Sequence, residues 1–173
     1  MPTGKTVVMP QARLREMLVY AEGRLYWVKS GKQAGCYKRK DGYGCLRLDN
    51  NLMLLHRVVW TYHNGPIPDG AFIDHIDGNR SNNTIENLRL ASNSENLLNK
   101  GPRRDSGSGV KNVMWNATTQ SWRVKLVVDG KHRHFGLFAT IEEAEVAARA
   151  AREQHHGVFA NHTSRGDDHS GQA

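Results

Sequence analysis

Three side chains between residues 71 and 100 have the types needed to hold a metal ion and to move a proton. Asp74 and His75 are adjacent, and Asn96 follows within the same stretch. Carboxylate and amide oxygens are hard ligands that suit Mg²⁺ or Mn²⁺. An imidazole, with an ordinary pKa of about 6.5, can take a proton from water near neutral pH. These residue types therefore indicate metal-assisted hydrolysis.

The sequence around these residues predicts two short strands followed by a helix. Strand patterns occupy residues 72–75 and 88–91, and a turn signal stands between them at residues 77–79. Ser92 and Glu95 have the spacing of a capping box, which marks a helix start. A unit this small buries little apolar surface, so its polar residues are the better guide to its role.

An ordered set of short motifs in this stretch resembles the HNH nucleases: Asp74-His75, Asp77-Gly78-Asn79, Asn87-Leu88-Arg89 and Asn96. The resemblance covers roughly residues 43–100. Within this family, the sequence most resembles the phage HNH homing endonucleases, whose third motif position is often Asn. It implies a ββα-metal unit in which Asp74 and Asn96 hold one divalent ion, Mg²⁺ or Mn²⁺, and His75 acts as general base. Asn87 matches the middle Asn of the motif. It is expected to brace the loop between the strands or to orient His75, with an ordinary turn residue as the alternative.

The charge of the chain favours an anionic polymer as partner. The formal net charge is +7 and the pI is near 9.6, with basic residues concentrated at 24–47 and 100–134. Double-stranded DNA is the expected partner, although such a charge also serves solubility. No small-molecule substrate is expected. No apolar run is long enough to span a bilayer, and the N-terminus lacks a signal-peptide pattern. A cytoplasmic location is therefore expected, in the host cell if a phage encodes the protein.

The N-terminal region is predicted to be a small sheet with two helices. A helix is predicted over residues 11–20, followed by strands at 24–28, 43–48 and 52–55, with a basic loop at 29–40.

Residues 56–64 predict the second of these helices, with one apolar stripe. His56 and His63 on it are interpreted as packed or exposed helix residues rather than metal ligands, and Arg57 is expected to contact phosphate. Cys36 and Cys45, the only cysteines, are expected to be free thiols. They cannot complete a four-cysteine zinc site, and no structural zinc is expected.

A polar stretch rich in Gly and Ser, residues 101–108, predicts a linker. Its Arg103 and Arg104 are expected to follow a DNA backbone, with a solvated hinge as the alternative. Removal of residues 109–173 is expected to weaken specific DNA binding far more than it affects the metal site.

The segment after the linker predicts a three-stranded antiparallel sheet packed on one helix. Strands are predicted at residues 110–115, 121–128 and 131–138, and a helix begins after Thr140 with Glu143 in a capping box. In the middle strand, alternate residues face opposite ways. The helix is expected to cover Trp122, Val124 and Leu126, and to leave Arg123 and Lys125 on the other face.

This segment resembles the ethylene-response-factor (APETALA-type) DNA-binding domain of plants. The matching stretches are Gly109-Val110-Lys111, Trp115, Trp122-Arg123-Val124, Phe135-Gly136-Leu137-Phe138, Glu142-Glu143-Ala144 and Ala147-Ala148. The resemblance implies that the sheet enters the major groove, with contacts from Lys111, Trp115, Arg123, Lys125, His132 and His134. For Trp115, packing at the sheet edge is the alternative. Val113, Val127 and His134 depart from the plant pattern, so the plant target sequence is not carried over.

Together these observations predict an α+β protein with a sheet region and nuclease at residues 1–100 (core 55–100), a linker at 101–108, a DNA-binding domain at 109–162 and a disordered tail at 163–173. The predicted activity is site-specific cleavage of DNA by a metal-dependent endonuclease, either a nickase or a double-strand cutter. A catalytically inactive DNA-binding regulator is the first alternative, and a metal-free nucleic-acid-binding protein is the second. A monomer is expected rather than a dimer.

Overall fold

The computed structural model of the chain describes residues 9–35, 37–102 and 106–162. The chain divides into two units, Met1–Asn93 and Ser94–Ala173, and each has its own hydrophobic core. Both consist of small antiparallel sheets and helices, which confirms the predicted α+β class. Cys36, Arg103, Arg104 and the predicted tail at 163–173 lie outside the described residues.

The described residues of the first unit, 9–35 and 37–93, form two helices and three small antiparallel sheets. Its elements are α1 (Gln11–Met17), β1 (Leu18–Ala21), β2 (Arg24–Trp27), β3 (Tyr37–Lys38), β4 (Gly44–Leu48), β5 (Asn51–Leu54), α2 (Leu55–Asn64), β6 (Phe72–His75) and β7 (Leu88–Ala91). The sheets are β1-β2, β3-β4-β5 and β6-β7. A 3₁₀ turn at Ile85–Asn87 leads into β7.

The first predicted helix was wrong at its C-terminal end. The helix stops at Met17, and Leu18–Ala21 pairs with Arg24–Trp27 as a hairpin. Glu22 and Gly23 connect the two strands with φ values of 50° and 74°. These left-handed conformations form the tight turn that matches the twist of a two-residue hairpin, so the backbone pairs across strands instead of continuing the helix.

A second difference lies in the predicted basic loop at 29–40. Tyr37–Lys38 forms a short edge strand there that pairs with β4. The pairing extends the β4-β5 sheet by one strand, which periodicity alone does not reveal for a two-residue element.

The core of the first unit fixes the position of the β6-β7 pair. Leu46 and Leu48 from β4 are buried together with Val58 and Val59 from α2. Ile73 of β6 and Leu88 of β7 belong to the same cluster. The apolar stripe predicted for α2 therefore faces this core. Because Ile73 is buried in the same core, the residues next to it on β6 are held in place.

The second unit includes α3 (Asn93–Leu98, which begins at the division between the units), β8 (Val113–Asn116), β9 (Ser121–Val128), β10 (Lys131–Phe138) and α4 (Ile141–His156), followed by a 3₁₀ turn at Gly157–Phe159. The strand order is β10-β9-β8, all antiparallel. Val124 and Leu126 of β9 pack on Ala144 and Ala148 of α4, as the alternation predicted.

The predicted capping box at the start of α4 is present. Thr140 Oγ1 accepts from the Glu143 amide, and the Glu143 carboxylate accepts from the Thr140 amide. In the part of the chain that the structure describes, no helix has the length and apolar character needed to cross a membrane.

Candidate active site

The two strands β6 and β7 bring Asp74 beside Arg89. These residues are directly opposite in the antiparallel register. Asp74 Oδ2 accepts hydrogen bonds from Arg89 Nε at 3.0 Å and from Nη2 at 2.8 Å. The carboxylate is buried and the guanidinium nearly so. Charge-assisted bonds of this kind fix the rotamer of a carboxylate, because loss of either partner leaves an uncompensated buried charge.

His75 is the last residue of β6, and its imidazole is held by Asn83. Its Nε2 lies 3.1 Å from Asn83 Oδ1, and both residues are buried. The other end of the Asn83 amide, Nδ2, donates to the Ser81 carbonyl oxygen at 3.1 Å. This second bond decides which end of the amide faces the histidine. Because a carboxamide oxygen only accepts, Nε2 carries the hydrogen of the neutral ring and Nδ1 carries the basic lone pair.

Two aromatic rings lie close to the His75 imidazole. Its ring centroid lies 5.1 Å from that of His56 and 6.0 Å from that of Tyr43. Burial lowers the pKa of His75. Burial, with a smaller contribution from His75, lowers the pKa of His56 to about 3. At neutral pH both rings are therefore uncharged, which is the state in which His75 can accept a proton.

Asn87 closes the loop between β6 and β7. Its Oδ1 accepts from the Asp77 amide at 3.1 Å, and its Nδ2 donates to Asp77 Oδ1 at 2.9 Å and to the Asn82 carbonyl at 2.8 Å. Asp77 also accepts from the Asn79 amide and from Asn82 Nδ2. The Asp77 carboxylate and the Asn87 amide thus tie the two ends of the loop together.

Two further predicted site residues lie on helices. Arg57 is half-buried on α2, next to the buried His56. Asn96 is half-buried on α3, and it belongs to the second unit, whereas Asp74, His75 and Asn87 belong to the first.

The sheet of the second unit separates a basic face from the face packed on α4. Arg123 and Lys125 alternate with the buried Val124 and Leu126. The register places His134 opposite Lys125 and His132 opposite Val127. Cross-strand partners share a face, so these residues form one surface, the outer sheet face, which also exposes apolar side chains. The apolar members are Met114, Val127 and Leu137.

Two of the predicted contacts do not lie on the outer sheet face. Trp115 is opposite Trp122, with ring centroids 5.1 Å apart in an edge-to-face contact. Trp115 therefore lies on the same face of the sheet as Trp122, the face packed on α4, at the edge of the sheet. This is the packing position that was the alternative to a DNA contact. Lys111 precedes β8, is half-buried, and donates from Nζ to the Leu98 carbonyl oxygen. Its ammonium is engaged within the second unit rather than presented on the sheet.

Comparison with known proteins identifies the family. Residues 53–98 match the model of the HNH endonuclease family. Protein 3.8 of Escherichia phage T7 is 40% identical over 105 residues, which cover 61% of this chain and 86% of that protein. The chain belongs to the HNH endonuclease family. The matched segment contains the β6-β7 pair and the first residues of the second unit, including Asn96.

Other relatives share less of their length with this HNH endonuclease. An uncharacterized HNH endonuclease of Acanthamoeba polyphaga mimivirus is 33% identical over 125 residues, covering 72% of this chain and 64% of that protein. DNA endonuclease I-HmuI of Bacillus phage SP01 is 34% identical over 86 residues, covering 46% of this chain and 49% of that protein. A solved structure of I-HmuI, described as showing DNA binding and cleavage, is 33% identical with a TM-score of 0.39, over 43% of this chain and 45% of that one.

HNH nucleases typically use a divalent metal ion, and the donor atoms present fit a hard one. Among the described residues, no cluster of three or more His, Cys, Asp or Glu side chains could hold a metal. A hard cation such as Mg²⁺ commonly combines one carboxylate with amide, water or phosphate oxygens. A carboxylate has about four lone-pair positions, so Asp74 can bond Arg89 and also ligate a cation.

Sequence reasoning missed Asn83 and Arg89 as site residues. Arg89 could have been found, because pairing of the two predicted strands places it opposite Asp74. Asn83 carried no such signal. It stands in a run of polar turn residues, and only the folded loop shows that its side chain returns to His75.

His56 should make the first unit sensitive to acid. Its pKa is about 3 in the folded protein and near its ordinary value of 6.5 in the unfolded chain. Between these values the unfolded chain binds one more proton, so the free energy of unfolding falls as the pH is lowered, by up to about 1.4 kcal/mol per pH unit. We expect His56→Phe to flatten this dependence, measured by urea unfolding between pH 6.5 and 3.5. His155→Phe, on α4 in the second unit, is the control. An unchanged slope in His56→Phe would show that His56 is not the acid-sensitive group.

Proposed function

We propose that this protein is a site-specific DNA endonuclease of the HNH homing type that hydrolyses phosphodiester bonds with one divalent metal ion and His75 as general base. The observation that supports this best is the fixed tautomer of His75. Asn83 Oδ1 accepts from Nε2–H, so the basic lone pair of the neutral ring is on Nδ1, the nitrogen that would take the proton.

Hydrolysis requires a proton to leave the attacking water as its oxygen forms a bond to phosphorus. His75 Nδ1 takes that proton, and Asn83 Oδ1 stabilises the imidazolium that results, since Nε2–H remains its donor. The bond between phosphorus and the 3′ oxygen then breaks. The low pKa that burial gives His75 keeps the ring neutral before the reaction.

Asp74 and Asn96 would hold the metal, which we expect to be Mg²⁺ or Mn²⁺. When bound, such an ion neutralises charge on the phosphate and on the leaving oxygen. Arg89 keeps the Asp74 carboxylate in one orientation, and Asn87 keeps the loop that carries Asn83 closed. We propose that both residues act by positioning.

The outer sheet face is proposed to bind double-stranded DNA. Residues 109–162 have the arrangement expected for an ethylene-response-factor type of domain, three antiparallel strands packed on one helix, and the face away from α4 carries the half-buried Arg123 and Lys125 and the exposed His132 and His134. Phosphate contacts are also proposed for Arg57, Arg103 and Arg104. Lys111 and Trp115 are not included, because the structure gives them other partners.

Metal-dependent cleavage is the direct test. Long mixed-sequence duplex DNA, labelled on both strands, is incubated with Mg²⁺ or Mn²⁺ and, separately, with chelator, and the products are resolved on a denaturing gel. We expect discrete metal-dependent fragments, and His75→Ala should lower the cleavage rate by about 10²–10⁴-fold with little change in DNA binding. His155→Ala is the control. DNA binding without cleavage by the parent protein would favour the inactive regulator instead, and full activity of His75→Ala would remove His75 as the base.

Asn83 is expected to control the rate through His75. Asn83→Ala leaves Nε2 without its acceptor and should reduce cleavage by about 10–100-fold at saturating metal, the usual effect of removing a group that orients a catalytic residue. Asn83→Asp keeps an acceptor oxygen and should retain more activity than Asn83→Ala. Asn51→Ala, at the first residue of β5 elsewhere in the unit, should behave as the parent. Equal activity of Asn83→Ala and the parent would mean that the ring needs no such support.

The proposed role of the outer sheet face in DNA binding can be tested with two double variants. Each removes two positive charges, one variant from the outer face and the other from the opposite face. Arg123→Gln with Lys125→Gln removes two charges from the outer face. The second double variant, Lys131→Gln with Arg133→Gln, removes two charges from alternate residues of β10 that lie on the other face of the sheet. Each phosphate contact contributes about −0.9 to the slope of log affinity against log salt. We expect the first double variant to have a shallower slope on duplex DNA and the second to keep the parent slope; identical slopes would exclude the outer face.

A further inference from the structure

The short helix α3 has few means of stability of its own. It has six residues, and none of them is buried. Isolated helices shorter than about 12–15 residues are marginal in water, and most helices in proteins are stabilised by tertiary contacts. The last carbonyl groups of a helix also need partners from outside it. What binds the C-terminal end of α3 therefore matters for the position of every residue on it, including Asn96.

The first partner is Lys111. Its Nζ donates to the Leu98 carbonyl oxygen, at the last residue of α3. The Lys111 backbone is held in turn by α4, because Arg152 Nη1 donates to the Lys111 carbonyl oxygen at 2.7 Å. Arg152 is almost fully buried in the second unit. A continuous set of bonds thus runs from α4 through Lys111 to the end of α3.

The second partner is Asn161, which follows the 3₁₀ turn after α4. Its Nδ2 donates to the Asn99 carbonyl oxygen at 2.6 Å, and both residues are buried. Two successive carbonyl groups, of Leu98 and Asn99, are therefore bonded by side chains that come from beyond the predicted linker. All of these residues lie within the second unit, Ser94–Ala173.

The surroundings of Lys111 indicate a specific bond rather than a solvated charge. Burial, with a smaller effect of Arg152, lowers the pKa of Lys111 to about 8. Burying a charged amine is costly unless it is hydrogen-bonded. The segment that carries it is also fixed, since Asn112 Nδ2 and its carbonyl oxygen both bond the Lys125 backbone on β9.

We infer that Lys111 and Asn161 are positioning residues that hold α3, and with it Asn96, on the C-terminal DNA-binding domain. A metal ligand of the nuclease is then placed by the domain that reads DNA. The inference rests on the proposed role of Asn96 as a ligand. It reverses the expectation that the metal site is independent of residues 109–173.

The test uses the full chain and two single variants, Lys111→Gln and Asn161→Ala. We expect both to raise the Mg²⁺ concentration for half-maximal cleavage of duplex DNA by about 10-fold or more, as loss of an orienting group usually does. The rate at saturating Mg²⁺ and the salt slope of DNA binding should stay near the parent values. Lys111→Arg keeps a donor and should restore much of the metal affinity. Lys131→Gln removes the same charge from an exposed position and should have no effect.

A second readout does not depend on cleavage. Hydrogen exchange of the amides of Asn99 and Lys100, which bond Glu95 and Leu97 carbonyls at the end of α3, should become faster in both variants. Parent-like exchange together with a parent-like Mg²⁺ requirement would overturn the inference. If the parent protein does not cleave DNA, the proposed function fails, and faster exchange in the variants would still support the anchoring of α3. If Lys111→Gln does not fold, Asn161→Ala carries the same test.

Discussion

The pairing of β6 with β7 is the constraint on which the candidate site depends. Its register sets Ile73 opposite Leu90 and Asp74 opposite Arg89. A slip of one residue would turn every side chain of one strand to the other face, so Arg89 would lose Asp74. The register is fixed because Ile73 and Leu88 are both held in the core of the first unit. Apolar burial on one side of the pair thus determines the ion pair.

The loop that joins these strands turns a local hairpin into a site. Side chains of Asp77 and Asn87 supply hydrogen bonds to backbone groups of the loop that lie outside the strand ladder. This internal network leaves Asn83 directed at His75. A polar loop is usually taken as a solvated connection. Here the loop places a buried acceptor, the oriented amide oxygen of Asn83, against Nε2 of the His75 ring.

Much of this arrangement could be predicted from the sequence, because it depends on local spacing. The limits of β6, β7, β9 and β10 and the capping box of α4 follow from alternation and from turn residues. What could not be predicted depends on contacts distant in sequence or on backbone conformation. The apolar spacing before Glu22-Gly23 fits a helix as well as the hairpin that forms there. Trp115 could have belonged to either face of the sheet until its cross-strand partner Trp122 was known.

Lys111 shows why the position of a residue in a family pattern is a poor guide to a binding surface. It stands in a basic stretch, and the resemblance to the plant domain implied a DNA contact for it. In the folded unit, the long side chain reaches back to the end of α3 while Arg152 holds its backbone. A lysine used in this way joins two parts of the chain that composition separates by a linker. If Asn96 ligates the metal and the outer sheet face binds DNA, as proposed, the bonds of Lys111 and Asn161 to the end of α3 couple the two tasks. Cleavage would then depend on residues 109–162, and the nuclease would act on DNA that the sheet has already bound.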